Sequence, residues 1–147
     1  MTKHSSEDLQ ICKNISNQTY QRALEILIEW AECAYSVNVY MDEDENCFVP
    51  TPIEELEDLD YHFGDIEIDG SQPHHIQIYS LLHEAGHAED YVQHVMSGIG
   101  TLSETMDKEI AAWDLGEKIA KRLNFILDMN DWASYKDLCI KLYMEEE

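Results

Sequence analysis

The chain has 147 residues, 44% of them hydrophobic and 10% aromatic, enough for one sizeable core and too few for two, so residues 1–147 read as a single domain. Thirty-one acids against nine Lys and Arg set the formal charge at −22, which makes phosphate backbones and anionic membranes poor partners and favours a basic protein or a bound cation. No stretch approaches the roughly 18 apolar residues of a membrane span and the first residues lack the apolar run of a signal peptide, so a cytoplasmic protein is expected.

In chain order, Ser16 is a candidate N-cap for a helix from Asn17 to about Tyr35, where Ala23, Leu24, Leu27, Ile28, Ala31 and Ala34 recur at helical spacing. SVNVY then reads as a short strand, and Asp42-Glu43-Asp44-Glu45 as a solvated turn, because like charges in sequence repel. That cluster is no EF-hand: Cys47, Phe48 and Val49 stand where its glycine and later ligands belong. Thr51-Pro52 can open a short helix through Leu59. GDIEIDG alternates Ile66 and Ile68 with acids, as a half-exposed strand pairing with SVNVY would. A helix follows from about His75 to Met96, ended by Gly98-Ile99-Gly100, then one from about Ser103 to Leu123, and a last one from a cap at Asn130 through Tyr143. The cysteines, Cys12, Cys33, Cys47 and Cys139, form no Cys-x-x-Cys pair, and reduced, mostly buried thiols are expected. The three tryptophans, Trp30, Trp113 and Trp132, are expected in the core.

The chemistry concentrates in HEAGHAED, residues 83–90. On a helix, residues four apart project from one face, so His83 and His87 can share a cation while Glu84, beside them, can take a proton from an activated water. Ala85 and Gly86 are small enough to let a neighbouring element approach closely. A hydrolytic zinc centre needs one more protein ligand. Glu109, in the next predicted helix, is favoured: a turn after Met96 would fold that helix back antiparallel, and Ala112, Trp113, Gly116 and Ala120 mark its buried face. A cation would compensate a carboxylate on that face. His94 lies on the same stripe as His83 but too far along the axis, and Asp90 suits the support of a histidine better than ligation. Glu104 is a weaker substitute, better placed to partner Thr101 in a capping box.

HEAGH on one helix followed by EIAAW on the next resembles a zincin metallopeptidase of the gluzincin type over about residues 64–123, and is especially similar to small phage and bacterial proteins of the ImmA/IrrE-like group. The resemblance implies that GDIEIDG is the strand before the metal helix, that His83, His87 and Glu109 bind Zn2+, that Glu84 is the general base, and that the protein works in a bacterial or phage-infected cell. It also implies an acid four residues after the ligand glutamate; that position holds Trp113, with Asp114 next to it, so Asp90 or Asp114 is expected to support the histidines. Asp90 and Gln93 stand where a metzincin would place its turn glycine and third histidine.

A helix-rich α+β fold is therefore expected, with two metal-bearing helices packed together and a small sheet over one side. The expected activity is zinc-dependent hydrolysis of a peptide bond in a protein or peptide substrate, with Tyr91, His94, His75 or Tyr135 as candidate oxyanion donors. The alternative is a catalytically silent zincin scaffold whose acidic surface binds a basic partner or mimics DNA, without binding nucleic acid itself.

Overall fold

A computed structural model of the protein describes residues 19–98, 106–123, 125 and 127–146. Helix α1 (Tyr20–Tyr35) opens where the Thr19 hydroxyl accepts the Arg22 N–H at 3.0 Å and ends at Ser36 in the left-handed region, φ 52°; Ser16 and Asn17, its expected start, lie outside the described residues. Its buried stripe is Ala23, Leu24, Ile26, Leu27, Ala31 and Tyr35, with Ala34 exposed.

Three strands follow: β1 (Val37–Asp42), β2 (Cys47–Pro50) and β3 (Gly64–Asp69). β3 lies between the other two. It pairs in parallel with β1, from Val37 opposite Gly64 to Asp42 opposite Asp69, and antiparallel with β2, from Cys47 opposite Glu67 to Pro50 opposite Gly64. The expected pairing of the two isoleucine- and valine-bearing segments is present. β2 was not legible: CFVP is four residues without alternation, and it becomes a strand because β3 offers it a hydrogen-bonding edge. Ile66 and Ile68 point into the core while Asp65 and Glu67 stay half-buried, the pleat expected of GDIEIDG. Between β2 and β3 the expected helix shrinks to a single 3-10 turn (Ile53–Glu55) begun by Pro52.

Helix α2 (His74–Met96) runs through the middle. All residues from Gln77 to Gly86 are buried, as a helix covered on several sides requires; the sheet and α1 pack against it, and α3 (Met106–Arg122) covers another flank. It begins one residue before the expected start and gives way at Ser97 and Gly98, φ 73°. Thr101 and Glu104 lie outside the described residues, as does the expected start of α3. Helix α4 (Met129–Glu146) starts earlier than expected. Asn130 is in its first turn, and the cap is Asp128, whose Oδ1 accepts the Asp131 N–H at 3.1 Å. The architecture is helix-rich α+β, and among the described residues no helix is long and apolar enough to cross a membrane.

The contact between α2 and α3 positions the site. A Cβ on Gly86 would sit 2.2 Å from the Ala112 carbonyl oxygen, and one on Gly116 would sit 2.7 Å from that of Leu82. Both glycines therefore exist to let two backbones touch. The pairs Leu82 with Gly116, Gly86 with Ala112 and Asp90 with Lys108 run in opposite directions along the two helices, so α3 is antiparallel to α2, as the site requires.

Candidate metal centre

His83 and His87 leave α2 on one face with ring centroids 4.7 Å apart. Glu109, in the first turn of α3, reaches both: Oε1 lies 2.8 Å from His83 Nε2 and Oε2 lies 3.2 Å from His87 Nε2. The three donors fall within 4.8 Å of one another. Burial alone would raise the Glu109 carboxyl, but hydrogen bonds from the two imidazoles outweigh it and hold the group at about 2, so it is ionised at any ordinary pH. The donor set fits zinc: two imidazole nitrogens and a carboxylate, spaced as neighbours around one small ion, with the side chains only 7%, 12% and 15% exposed. Glu84, 5% exposed, lines the same cleft.

His83 is held in an unusual way. Its ring stacks on Trp113 with centroids 4.1 Å apart and planes 23° apart, and its Nδ1 is buried with no hydrogen-bond partner. A metal-binding histidine ordinarily gives that N–H to a carboxylate or carbonyl; here an indole face fixes the ring instead. Trp113 is in the core, 1% exposed, as expected of it, and it also forms one wall of the cleft. Trp132 is equally buried and packs edge-on against it at 5.2 Å, whereas Trp30 is only partly buried.

The two aspartates expected behind the histidines each meet a lysine. Asp90 Oδ2 pairs with Lys108 at 3.2 Å and its Oδ1 faces His94 at 3.5 Å; Asp114 is 61% exposed and pairs with Lys136 at 3.8 Å. His94 turns its Nδ1 to the Asp90 carbonyl at 2.9 Å and its Nε2 to Lys108, outside the ligand trio. Glu89, which sequence reading passed over, is 8% exposed and accepts the Tyr35 hydroxyl at 2.6 Å and the Arg122 guanidinium at 3.1 Å. It fastens α1, α2 and α3 together beside the site. Only its position in a run of acids was visible in the sequence, and that says nothing about burial.

The cleft has two lobes. One, of about 370 Å3, lies between the His83, His87 and Glu109 cluster and α4, where Ser80, Tyr135 and Cys139 line it; the other, of about 240 Å3, lies against β2, lined by Cys47, Phe48 and Pro50. Of the four candidate donors, Tyr135 alone lines this cleft. Burial raises its phenol to about 12 although a bond to Ser80 opposes the rise, so it is a protonated donor at neutral pH; it meets the Ser80 hydroxyl at 2.8 Å. Tyr91 is 3% exposed and its hydroxyl donates to the Thr51 carbonyl, while His75 stands among Tyr20, Tyr79 and Asp131 at the start of α2. Tyr143, which carried no sequence signal, lines both lobes.

Among the described residues a second cluster, Glu45, Cys47 and Glu67, lies at the sheet rim. Burial, with Glu67, Glu84 and Glu45 adding, pushes the Cys47 thiol up to about 11, which keeps it protonated. Cys33 is exposed and Cys47 and Cys139 half-buried, all three free, so the expectation of mostly buried thiols fails for the described cysteines; Cys12 lies outside them. Comparison with known proteins gives no match to a family model, to a curated protein or to a solved structure.

Proposed function

We propose that the protein is a zinc-dependent metallopeptidase of the zincin, gluzincin-like kind. The observation that carries this reading is the convergence of the His83 and His87 Nε2 atoms on the two carboxylate oxygens of Glu109, in a cleft that Glu84 also lines. His83, His87 and Glu109 would hold the ion. When bound, zinc supplies Lewis acidity towards a scissile carbonyl and acidifies water at the site.

The remaining work falls to the chain's own groups. Glu84 takes a proton from water at the cleft and delivers it to the leaving amine. Tyr135, kept protonated by burial, donates a hydrogen bond to the oxyanion. The sheet edge contributes binding: β2 has β3 on one side only, so its outer backbone groups beside the cleft are available to an extended peptide. The substrate is accordingly a protein or peptide that presents an extended segment.

The test is metal content by mass spectrometry, followed by turnover. Wild type binds about one zinc per chain, His83→Ala loses it and Glu109→Gln weakens it; Glu84→Gln keeps zinc but loses peptide-bond cleavage in a proteome-wide search for new N-termini. Absence of zinc after addition and dialysis, or cleavage unchanged in Glu84→Gln, overturns the reading.

A further inference from the structure

Between the 3-10 turn and the end of α2 lies a groove of about 810 Å3. Its floor is Leu56 and Phe63, 2% and 9% exposed, and its walls are Ile53, Tyr61 and Met96, left 38%, 51% and 76% exposed. Adjacent apolar side chains this exposed mark a surface of interaction, and methionine and tyrosine suit one: the first adapts its shape, the second anchors with little loss of rotamer freedom.

The charge at this groove has one sign. Glu54 and Glu57 line it, with no Lys or Arg among the described residues of its lining, and Glu55, Asp58 and Asp60 are exposed along the same stretch. The wall is also set rigidly. Asp60 and Tyr61 both adopt positive φ, 54° and 58°, a conformation uncommon outside glycine. It is held by the Tyr61 N–H donating to the Leu56 carbonyl at 2.7 Å and the His62 N–H to that of Leu59 at 3.1 Å. Tyr61 is thus placed before any partner arrives, which lowers the ordering cost of binding.

We propose that this groove docks a basic amphipathic helix of a partner protein. The apolar stripe of that helix, repeating every three to four residues, lies against Leu56, Phe63 and Met96, and its Lys or Arg side chains meet Glu54 and Glu57. A purely apolar occupant would leave those acids facing it without a counter-charge, and a purely basic one would leave the floor uncovered. The site needs neither the metal cluster nor Glu84.

The probe is a Leu/Lys amphipathic peptide of about 18 residues, titrated into methyl-labelled full-length protein and followed by NMR. Two controls accompany it: one with every Leu changed to Ser, one with every Lys changed to Glu. Docking predicts shifts concentrated at the Ile53, Leu56, Val95 and Met96 methyls, little binding by either control, and weakening by salt. The double variant Glu54→Lys, Glu57→Lys lowers affinity by about 10-fold, equivalent to a little under 1 kcal/mol per reversed charge. Met96→Asp does the same at an exposed position that leaves the circular dichroism unchanged, and His83→Ala binds as wild type does, so failure of the metallopeptidase reading leaves this one standing. Equal binding by the Lys/Ser control, shifts centred elsewhere, indifference to these variants, or no binding overturns it. So does a groove already filled in the free protein by residues 99–105 or by a second copy, seen as nuclear Overhauser contacts or as a dimer in sedimentation.

Discussion

Two carboxylates project from the α2–α3 pair into partly buried positions, and they are compensated differently. Glu89 has a permanent cation, Arg122, at 3.1 Å and a phenol donor, Tyr35, at 2.6 Å, so it is matched by a partner whose charge does not depend on pH. Among the described residues, Glu109 has only imidazoles, at 2.8 and 3.2 Å. An imidazole carries charge only when protonated, so the second cluster has no fixed counter-charge. One network carries a fixed positive charge and the other two titratable rings; the difference lies in a guanidinium against two histidines, not in the carboxylates.

The largest effect should come from breaking what both clusters share. Gly86→Ala or Gly116→Ala forces a methyl into the facing backbone and is expected to cost about 3 kcal/mol, lowering the urea midpoint and loosening both networks together. Zinc should then separate them: at a hundred times its dissociation constant it adds about 2.7 kcal/mol to wild type and nothing to His83→Ala, read as a shift in thermal midpoint. In Arg122→Met the zinc-dependent gain persists while zinc-free stability falls by about 1–2 kcal/mol, a figure reduced because the Arg122 side chain is 52% exposed.

Acid titration sharpens the contrast further. In the zinc-free protein the Glu109 carboxyl sits at about 2 against an ordinary 4.5. A group depressed on folding contributes stability in full above its ordinary value and loses it as the pH falls towards the folded one. The stability difference between wild type and Glu109→Gln is therefore expected to be on the order of 2 kcal/mol near pH 5 and to shrink steadily towards pH 2. The smallest effect is expected at Asp114, exposed and paired with Lys136: Asp114→Asn changes stability by less than about 0.5 kcal/mol and leaves zinc content unchanged.

Much of the candidate site was legible because helix geometry is local. The four-residue spacing placed His83 and His87 together, and the small residues Gly86, Ala112 and Gly116 marked where another helix could approach. The surroundings of Asp90 and Asp114 were not legible for the opposite reason. Asp90 and Asp114 are acids near the right place in sequence, but their side chains leave the helices at angles that take them to Lys108 and Lys136. Trp113, expected to be core and nothing more, occupies the space behind His83. Likewise β2 carries no period of its own and exists through its pairing with β3, yet it forms one wall of the cleft.

By itself the sequence determined the helix-rich α+β class, the strand before the motif, the run of α2 and the pairing of a histidine face with a later carboxylate. These depend on hydrophobic period, on glycine, and on the cost of burying charge, all of which act over a few residues. Only the tertiary structure decided which acids face the histidines, that Glu89 belongs to a separate ion-paired network, that Tyr135 among the candidate donors reaches the cleft, and that the stretch around Glu54 and Tyr61 lines an apolar groove. Those outcomes depend on how segments far apart in sequence meet, and the direction of a side chain across such a contact is fixed by packing, not by its neighbours in the chain.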